Sequence, residues 1–260
     1  MALSTHQLAD IEKIAPVVLA KELLIPVPKV FHTVLPGAGL QRGWATKVTG
    51  SASGRVFAWA LLSEVTRSGG WIAAVDVPGV SLSAASEVGL SIERVVVVSG
   101  VDAKNWAATM GALIGSVDAV VYGTPRHRVQ PSTHRKLTSR CRERGTVLLQ
   151  LTCGQTGRTK ETAPNDVDVA FDVHPVRWHG LGSGHGRLES RAINVSVSGR
   201  RAQGRTRSGL FMVPDVDGSV CAMSNTADMA SARETADMAS AHEPAETSNP
   251  VFRSSASGYA

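Results

Sequence analysis

The chain has 260 residues, 43% of them apolar, and a formal net charge of +5, which allows one full hydrophobic core and makes two large domains an unfavoured reading. No run of about 18 apolar residues exists to form a transmembrane helix, since Ile14 to Val27 is interrupted by Pro16, Lys21, Glu22 and Pro26. The N-terminus has no basic region followed by a small-residue cleavage site, so the expectation is a cytoplasmic protein. Cys141, Cys153 and Cys221 form no C-x-x-C pair and have no histidine at zinc spacing, which argues against a metal site.

Charge is unevenly spread. Of 27 basic and 22 acidic residues, only two basic but seven acidic ones lie from Leu210 onward, giving a body of +10 and a tail of −5. A basic body points to an acidic partner such as nucleic acid, although arginine-rich composition is also common in high-GC genomes.

Residues 3 to 24 read as an amphipathic helix with Leu3, Leu8, Ile11 and Ile14 on one face, so 1–30 is set apart as an N-terminal helical segment. The main domain is expected over 31–213. Strand candidates are Trp44 to Val48, Trp71 to Val75, Val95 to Val98, Ala119 to Tyr122 and Val147 to Leu151. Between them lie helix candidates at Arg55 to Arg67, Ser81 to Val88, Asn105 to Ile114 and Ser132 to Arg144. The run Val95-Val96-Val97-Val98 has the look of a strand buried on both faces, and the alternation predicts an α/β fold, a parallel sheet covered by helices. Farther on, Val167, Val169, Phe171 and Val173 alternate with polar residues, as do Ile193, Val195 and Val197. These predict an antiparallel meander joined by the glycine-rich stretch His179 to Gly186, where the absence of a following helix argues for a hairpin loop over a phosphate site. Residues 214–260 are polar and acidic and carry a nine-residue duplication, Thr226 to Ala232 and Thr235 to Ala241. Such a segment is expected to be disordered.

The chemistry-bearing stretch is Thr49-Gly50-Ser51-Ala52-Ser53-Gly54-Arg55-Val56, placed where a Walker A loop would cradle a triphosphate between a strand and a helix. In that register Thr49 replaces the first glycine, Arg55 the lysine and Val56 the Mg²⁺-binding hydroxyl. Gly50, Ser53, Gly54 and Arg55 are therefore a vestigial phosphate loop. The strand Ala119 to Tyr122 runs into Gly123 rather than an acid, Asp118 lies at its wrong end, and Pro78 stands where a recombinase-type ATPase carries its catalytic glutamate. The expectation is a pseudo-ATPase with no required cofactor and no metal; weak ATP binding without turnover stays open.

Order of parts and the passage Glu87 to Val95 are similar to the RecA core. More closely, Leu35 to Gly43, Ala85 to Arg94 and Arg177 to Arg187 resemble the actinobacterial ImuA-prime family, RecA-like accessory proteins of the mutagenic translesion system, over about residues 31 to 213. That resemblance implies a RecA-like fold and a non-catalytic role in DNA repair by damage-induced, error-prone synthesis. The implied partners are an ImuB-type translesion adaptor and an error-prone C-family DNA polymerase. Two loops of the RecA core that meet single-stranded DNA correspond to about Thr124 to Ser132 and Cys153 to Asn165, which makes Arg126, Arg128, Arg135 and Lys136 candidate DNA contacts. Neither stretch has an aromatic stacking platform, so a solvated basic face is an equal reading. A second cluster, Arg187, Arg191, Arg200, Arg201, Arg205 and Arg207, could equally meet an acidic protein surface. Candidate partner-binding residues are Trp178, His179, His185 and Arg187. Trp44, Trp59, Trp71 and Trp106 read as packing residues, and His127 and His134 as surface histidines outside any triad. Two alternatives stand beside this reading: a working DNA-dependent ATPase of recombinase type, and a SulA-like cell-division inhibitor.

Overall fold

The computed structural model describes residues 23–37, 39–152, 167–181, 186–202 and 207–223. Of the expected N-terminal helix over 3–24, residues 3–22 lie outside them and Leu24 is in a strand, not a helix; the duplicated tail segment also lies outside them. In chain order the elements are β1 (Leu24–Ile25), a 3-10 turn (Lys29–Thr33), β2 (Leu40–Gln41), β3 (Ala45–Gly50), α1 (Ala52–Arg67), β4 (Ile72–Val75), α2 (Leu82–Glu87), β5 (Val95–Val98), α3 (Ala103–Leu113), β6 (Ala119–Gly123), α4 (Pro131–Arg144), β7 (Val147–Thr152), β8 (Val169–Leu181), β9 (Gly186–Ser198), β10 (Arg207–Met212) and β11 (Cys221–Ala222).

β3 through β11 form one nine-stranded sheet in the order β11-β10-β9-β8-β3-β7-β6-β4-β5. The six strands from β8 to β5 are parallel, and β9, β10 and β11 continue the sheet antiparallel. This is the RecA-like arrangement: a mainly parallel sheet, helices on its faces and an antiparallel meander at one end. Strand alternation distributes the core. Ile72, Ala74, Val121 and Leu149 face α1 and α2, whereas Ala73, Val75, Val120 and Leu148 face Trp106 and Met110 of α3 and Leu137 and Cys141 of α4. On the α1 side, Phe31, Phe57, Phe171 and Phe211 make successive ring contacts with centroids 5.1–5.4 Å apart. They tie the 3-10 turn, α1, β8 and β10 together.

Two arginine–carboxylate clusters pin the opposite, N-terminal edge of the parallel strands. Asp118 accepts from both terminal nitrogens of Arg42 at 3.0 Å and from the Trp71 amide at 3.0 Å. Asp168, 1% exposed, accepts from the Ala45 amide and from Arg200, each at 3.0 Å. Arg142 and Arg201 approach its carboxylate at 3.8 Å.

Three expectations need correction. β5 is the edge strand, with Val96 39% and Val97 43% exposed; four valines in a row satisfy an edge as well as a centre because β-branched side chains suit any extended backbone. Trp71 is likewise 43% exposed, with the Arg94 guanidinium 5.7 Å from its ring centroid. The expected domain edges at 31 and 213 fall inside the fold, since Ile25 and Val213 are fully buried and β11 pairs with β10.

Candidate functional site

Ligands of open α/β sheets bind beyond the carboxyl ends of the parallel strands, which here are Gly50, Val75, Val98, Gly123 and Thr152. At the first of these, β3 ends at Gly50 and α1 begins at Ala52, so Ser51 alone separates strand from helix. A Walker loop needs several non-helical residues whose amides converge on phosphate. In this chain Ser53 and Gly54 are buried in the first helical turn, and the Gly54 amide donates to the Ser51 carbonyl at 3.0 Å. Both glycines have packing reasons. A Cβ on Gly50, whose φ is +140°, would meet the Val173 carbonyl at 2.5 Å, and one on Gly54 would meet the Thr49 carbonyl at 3.3 Å. Close approach of β8 to β3 requires glycine at 50, and at 54 the approach of α1 to β3 leaves a Cβ only a tight fit.

At the end of β6, Gly123 has no room for an acid. A Cβ there would collide with the Asp76 carbonyl oxygen and stand 2.9 Å from the Pro78 ring. Asp76 itself is committed: at φ +45° its carboxylate accepts from the Gly100 and Val101 amides at 2.7 and 3.3 Å, closing the loops after β4 and β5 on each other. The positions of a Walker B acid and a catalytic glutamate are thus filled by a folded loop, Asp76-Val77-Pro78-Gly79.

Arg55, in the second turn of α1, is half-buried and reaches that loop; its guanidinium carbon lies 3.3 Å from where a Cβ on Gly79 would stand. Arg191 of β9 is 3% exposed. Its Nε donates to the Val213 carbonyl at 3.3 Å, and its guanidinium lies 4.7 Å from the ring centroid of Trp178, its cross-strand neighbour. Burial, and next the charge of Arg55, pull Arg191 below the ordinary arginine range. By sequence Arg191 belongs to the second basic cluster, which could meet DNA or an acidic protein surface. The signal that marks it is period two: Arg191 shares the inward parity of Ile193, Val195 and Val197.

The four candidate DNA contacts are all exposed, and the fold does not gather them into one site. Arg126 lines a cleft of about 560 Å³ at the ends of β4, β5 and β6, together with Asp76, Pro78, Asp102, Trp106 and His127. Lys136 lines a different groove, between α3 and α4, with Arg140 and Glu143. Arg135 caps back onto the Pro131 carbonyl at 3.4 Å, and Arg128 lines neither cleft nor groove. His127 stacks edge-on to Trp106, centroids 5.7 Å apart, which gives it a packing role. The second arginine cluster is largely structural, with Arg200 and Arg201 serving Asp168 and Arg207 donating to the Leu35 carbonyl at 2.7 Å.

Trp178, His179 and Arg187 sit on a two-stranded arm. β8 pairs with β3 only over Val169–Val173; from there to Leu181 its neighbour is β9 alone. The expected hairpin is present, but its strands run farther, through Arg177-Trp178-His179, than the alternation over 167–173 predicts. Trp178 is 46% exposed, Arg187 is exposed and His179 half-buried. His185 lies outside the described residues. Among those residues no group of histidine, cysteine and carboxylate side chains is placed to hold a metal, and no helix is long and apolar enough to cross a membrane.

Comparison with known proteins places these features. The family described as MT3502 N-terminal domain matches residues 33–156, from the 3-10 turn through β7. The uncharacterized protein Rv3395c of Mycobacterium tuberculosis is 35% identical over 142 residues, covering 54% of this chain and 67% of that protein. Among solved structures, the flagellar accessory protein FlaH from Methanocaldococcus jannaschii superposes with a TM-score of 0.54 over 78% of this chain and 99% of its own, at 9% identity, a likeness of fold alone. With that identity and coverage, the chain belongs to the family that includes Rv3395c.

Proposed function

We propose that this chain is a non-catalytic RecA-like adaptor in damage-induced, error-prone translesion DNA synthesis, acting by protein contacts. Its partners on this reading are an ImuB-type adaptor and an error-prone C-family DNA polymerase, as the segments Leu35 to Gly43, Ala85 to Arg94 and Arg177 to Arg187 suggest by resemblance. The observation that carries the non-catalytic part is the junction Gly50-Ser51-Ala52, a single residue between strand and helix where a phosphate loop would be. Val56, Pro78 and Gly123 at the metal-ligand, glutamate and Walker B positions support the same reading, because phosphoryl transfer needs those groups together. The arm bearing Trp178 and Arg187 supports the adaptor part: an exposed rigid aromatic flanked by arginine is the residue chemistry that dominates protein interfaces.

The test has two arms. Purified full-length chain is assayed for ATP hydrolysis with Mg²⁺, with and without single-stranded DNA; no turnover is expected. Co-purification with the ImuB-type adaptor and the polymerase is then measured for wild type and for Trp178→Ala. Retention of both partners by wild type and loss of one by the variant is expected. DNA-stimulated turnover would overturn the non-catalytic reading, and failure of wild type to retain either partner would overturn the adaptor reading.

A further inference from the structure

We propose that the amino-terminal edge of the parallel strands is a docking surface for an extended, acidic segment of a partner protein, with Trp71 as its apolar anchor.

The surface is built from contacts that run on from one strand to the next. At one end the Arg94 guanidinium lies over the Trp71 ring and donates to the Gly69 carbonyl at 2.7 Å. The Trp71 amide and Arg42 share Asp118, and Arg42 reaches the Gly145 carbonyl at the end of α4 at 3.5 Å. Gly43, at φ +82°, brings the same turn onto α4, where a Cβ would stand 2.7 Å from the Arg142 Cα. Arg142 in turn joins Arg200 and Arg201 around Asp168. From Trp71, just before β4, to Arg200, just after β9, this ridge crosses β6, β7, β3 and β8. Five strand spacings make about 24 Å, the length of about seven extended residues.

Two carboxylates do not need this many cations. Arg42 answers Asp118 and Arg200 answers Asp168, each at 3.0 Å. Arg94, Arg142 and Arg201 remain in excess; Glu93, exposed beside Arg94, and the carbonyl end of α4 take up part of that charge. Depth decides what solvent meets. The Asp118 and Asp168 side chains are 27% and 2% exposed, whereas those of Arg142, Arg200 and Arg201 are 50%, 49% and 62% exposed. The acids lie beneath and hold the guanidinium groups in place, so little side-chain freedom is lost when an anionic partner covers them. Trp71, 43% exposed, and Ile92, 41% exposed, put apolar surface at one end. Tryptophan beside arginine is the composition of interface hot spots. A single indole anchors one side chain and offers no succession of stacking platforms, which favours a peptide over single-stranded nucleic acid. The Trp178 arm lies beyond the carboxyl ends of the strands, so the two surfaces do not compete.

The experiment uses the full chain and a fluorescent peptide of about twelve residues that alternates Glu and Leu, longer than the ridge. Binding is read by anisotropy at low and high salt, beside a labelled oligothymidylate of the same length. Wild type, Trp71→Ala and the pair Arg142→Gln with Arg201→Gln are compared, each with its melting temperature. The pair Arg126→Gln with Arg128→Gln is the control, removing the same charge elsewhere. Saturable peptide binding by wild type that weakens with salt is expected. Affinity is expected to fall at least about tenfold in Trp71→Ala and in the edge pair, and to stay within about twofold of wild type in the control. If the edge pair melts lower, Trp71→Ala, which removes no ion pair, carries the result. No peptide binding by wild type, affinity unchanged in both edge variants, or an equal loss in the control overturns the proposal. Loss of oligothymidylate affinity in the edge variants with the peptide unaffected overturns it in favour of a nucleic-acid surface. The probe is synthetic and the chain is alone, so failure here is separate from failure of the adaptor reading.

Discussion

The Asp76 carbonyl oxygen occupies the space that a Cβ on Gly123 would need, and the Pro78 ring stands 2.9 Å from the same point. This one approach closes the two acidic positions of a nucleotide-hydrolysing site at once, since the loop after β4 can lie there only if β6 ends without a side chain. Gly123→Asp is therefore expected to damage the fold without restoring chemistry. Overpacking against backbone and burial of a charge predict a loss of about 3 kcal/mol or more in urea unfolding, with no gain in ATP hydrolysis. A variant as stable as wild type would mean that the loop can move away and leave the Walker B position open.

Asp168 gives a second prediction at the opposite edge of the sheet. Removal of its carboxylate leaves the Ala45 amide unsatisfied and three arginines without their common partner. Asp168→Ala is expected to cost about 3–5 kcal/mol. Each single arginine is about half exposed or more, with side-chain exposures of 49%, 50% and 62%, so Arg142→Ala, Arg200→Ala and Arg201→Ala are expected to cost about 1 kcal/mol or less apiece. Equal losses for the carboxylate and for any one arginine would show that Asp168 is not the hub.

How far this architecture is legible in the sequence depends on what each residue type can signal. The apolar runs at Ala119 to Tyr122 and Val147 to Leu151 become strands with an added residue, because a buried parallel strand has no other composition. Ser81 caps α2 through its hydroxyl on the Ala84 amide, and Gly145 ends α4 at φ +72°, both readable from residue type. The start of α1 is not. Ala52-Ser53-Gly54 has the composition of a loop, which puts the expected helix start at Arg55, yet the helix begins at Ala52 with Gly54 in its first turn, where a Cβ would stand 3.3 Å from the Thr49 carbonyl. Packing against the strand just before it overrides local propensity there. Arg191 was obscured in the same way: arginine implies surface, and only the parity of its strand says otherwise.

The two described cysteines carry a prediction on reactivity. Burial pushes the Cys141 thiol up to about 12. Burial and then the hydrogen bond to Asp215 at 3.1 Å push Cys221 up to about 11. A raised thiol pKa means less thiolate at any pH below it, and thiolate is the reacting form. In a Cys153→Ser background, native protein at pH 8 is expected to react with a disulfide reagent far more slowly than unfolded chain at both positions. Asp215→Asn removes the charge that disfavours the Cys221 thiolate, so labelling of Cys221 alone is expected to quicken several-fold. Rapid labelling of Cys221 in the parent protein would contradict the partnership with Asp215.

The basic residues divide into two populations that one salt titration can separate. Arg126, Arg128, Arg135 and Lys136 are exposed and form no ion pair among the described residues, whereas Arg142, Arg200 and Arg201 spend their charge on Asp168. If the first four follow a single-stranded phosphate backbone, each contributes counterion release, and the slope of log affinity against log salt is about −0.7 per contact. Replacing all four by Gln is then expected to flatten the slope by up to about 3 while leaving the melting temperature near that of wild type. Arg200→Gln is expected to do the reverse, lowering stability and leaving the slope unchanged. A four-residue variant with the parent slope would assign these side chains to a solvated helix face and loop, and would leave protein contacts as the route by which a basic body meets its partners.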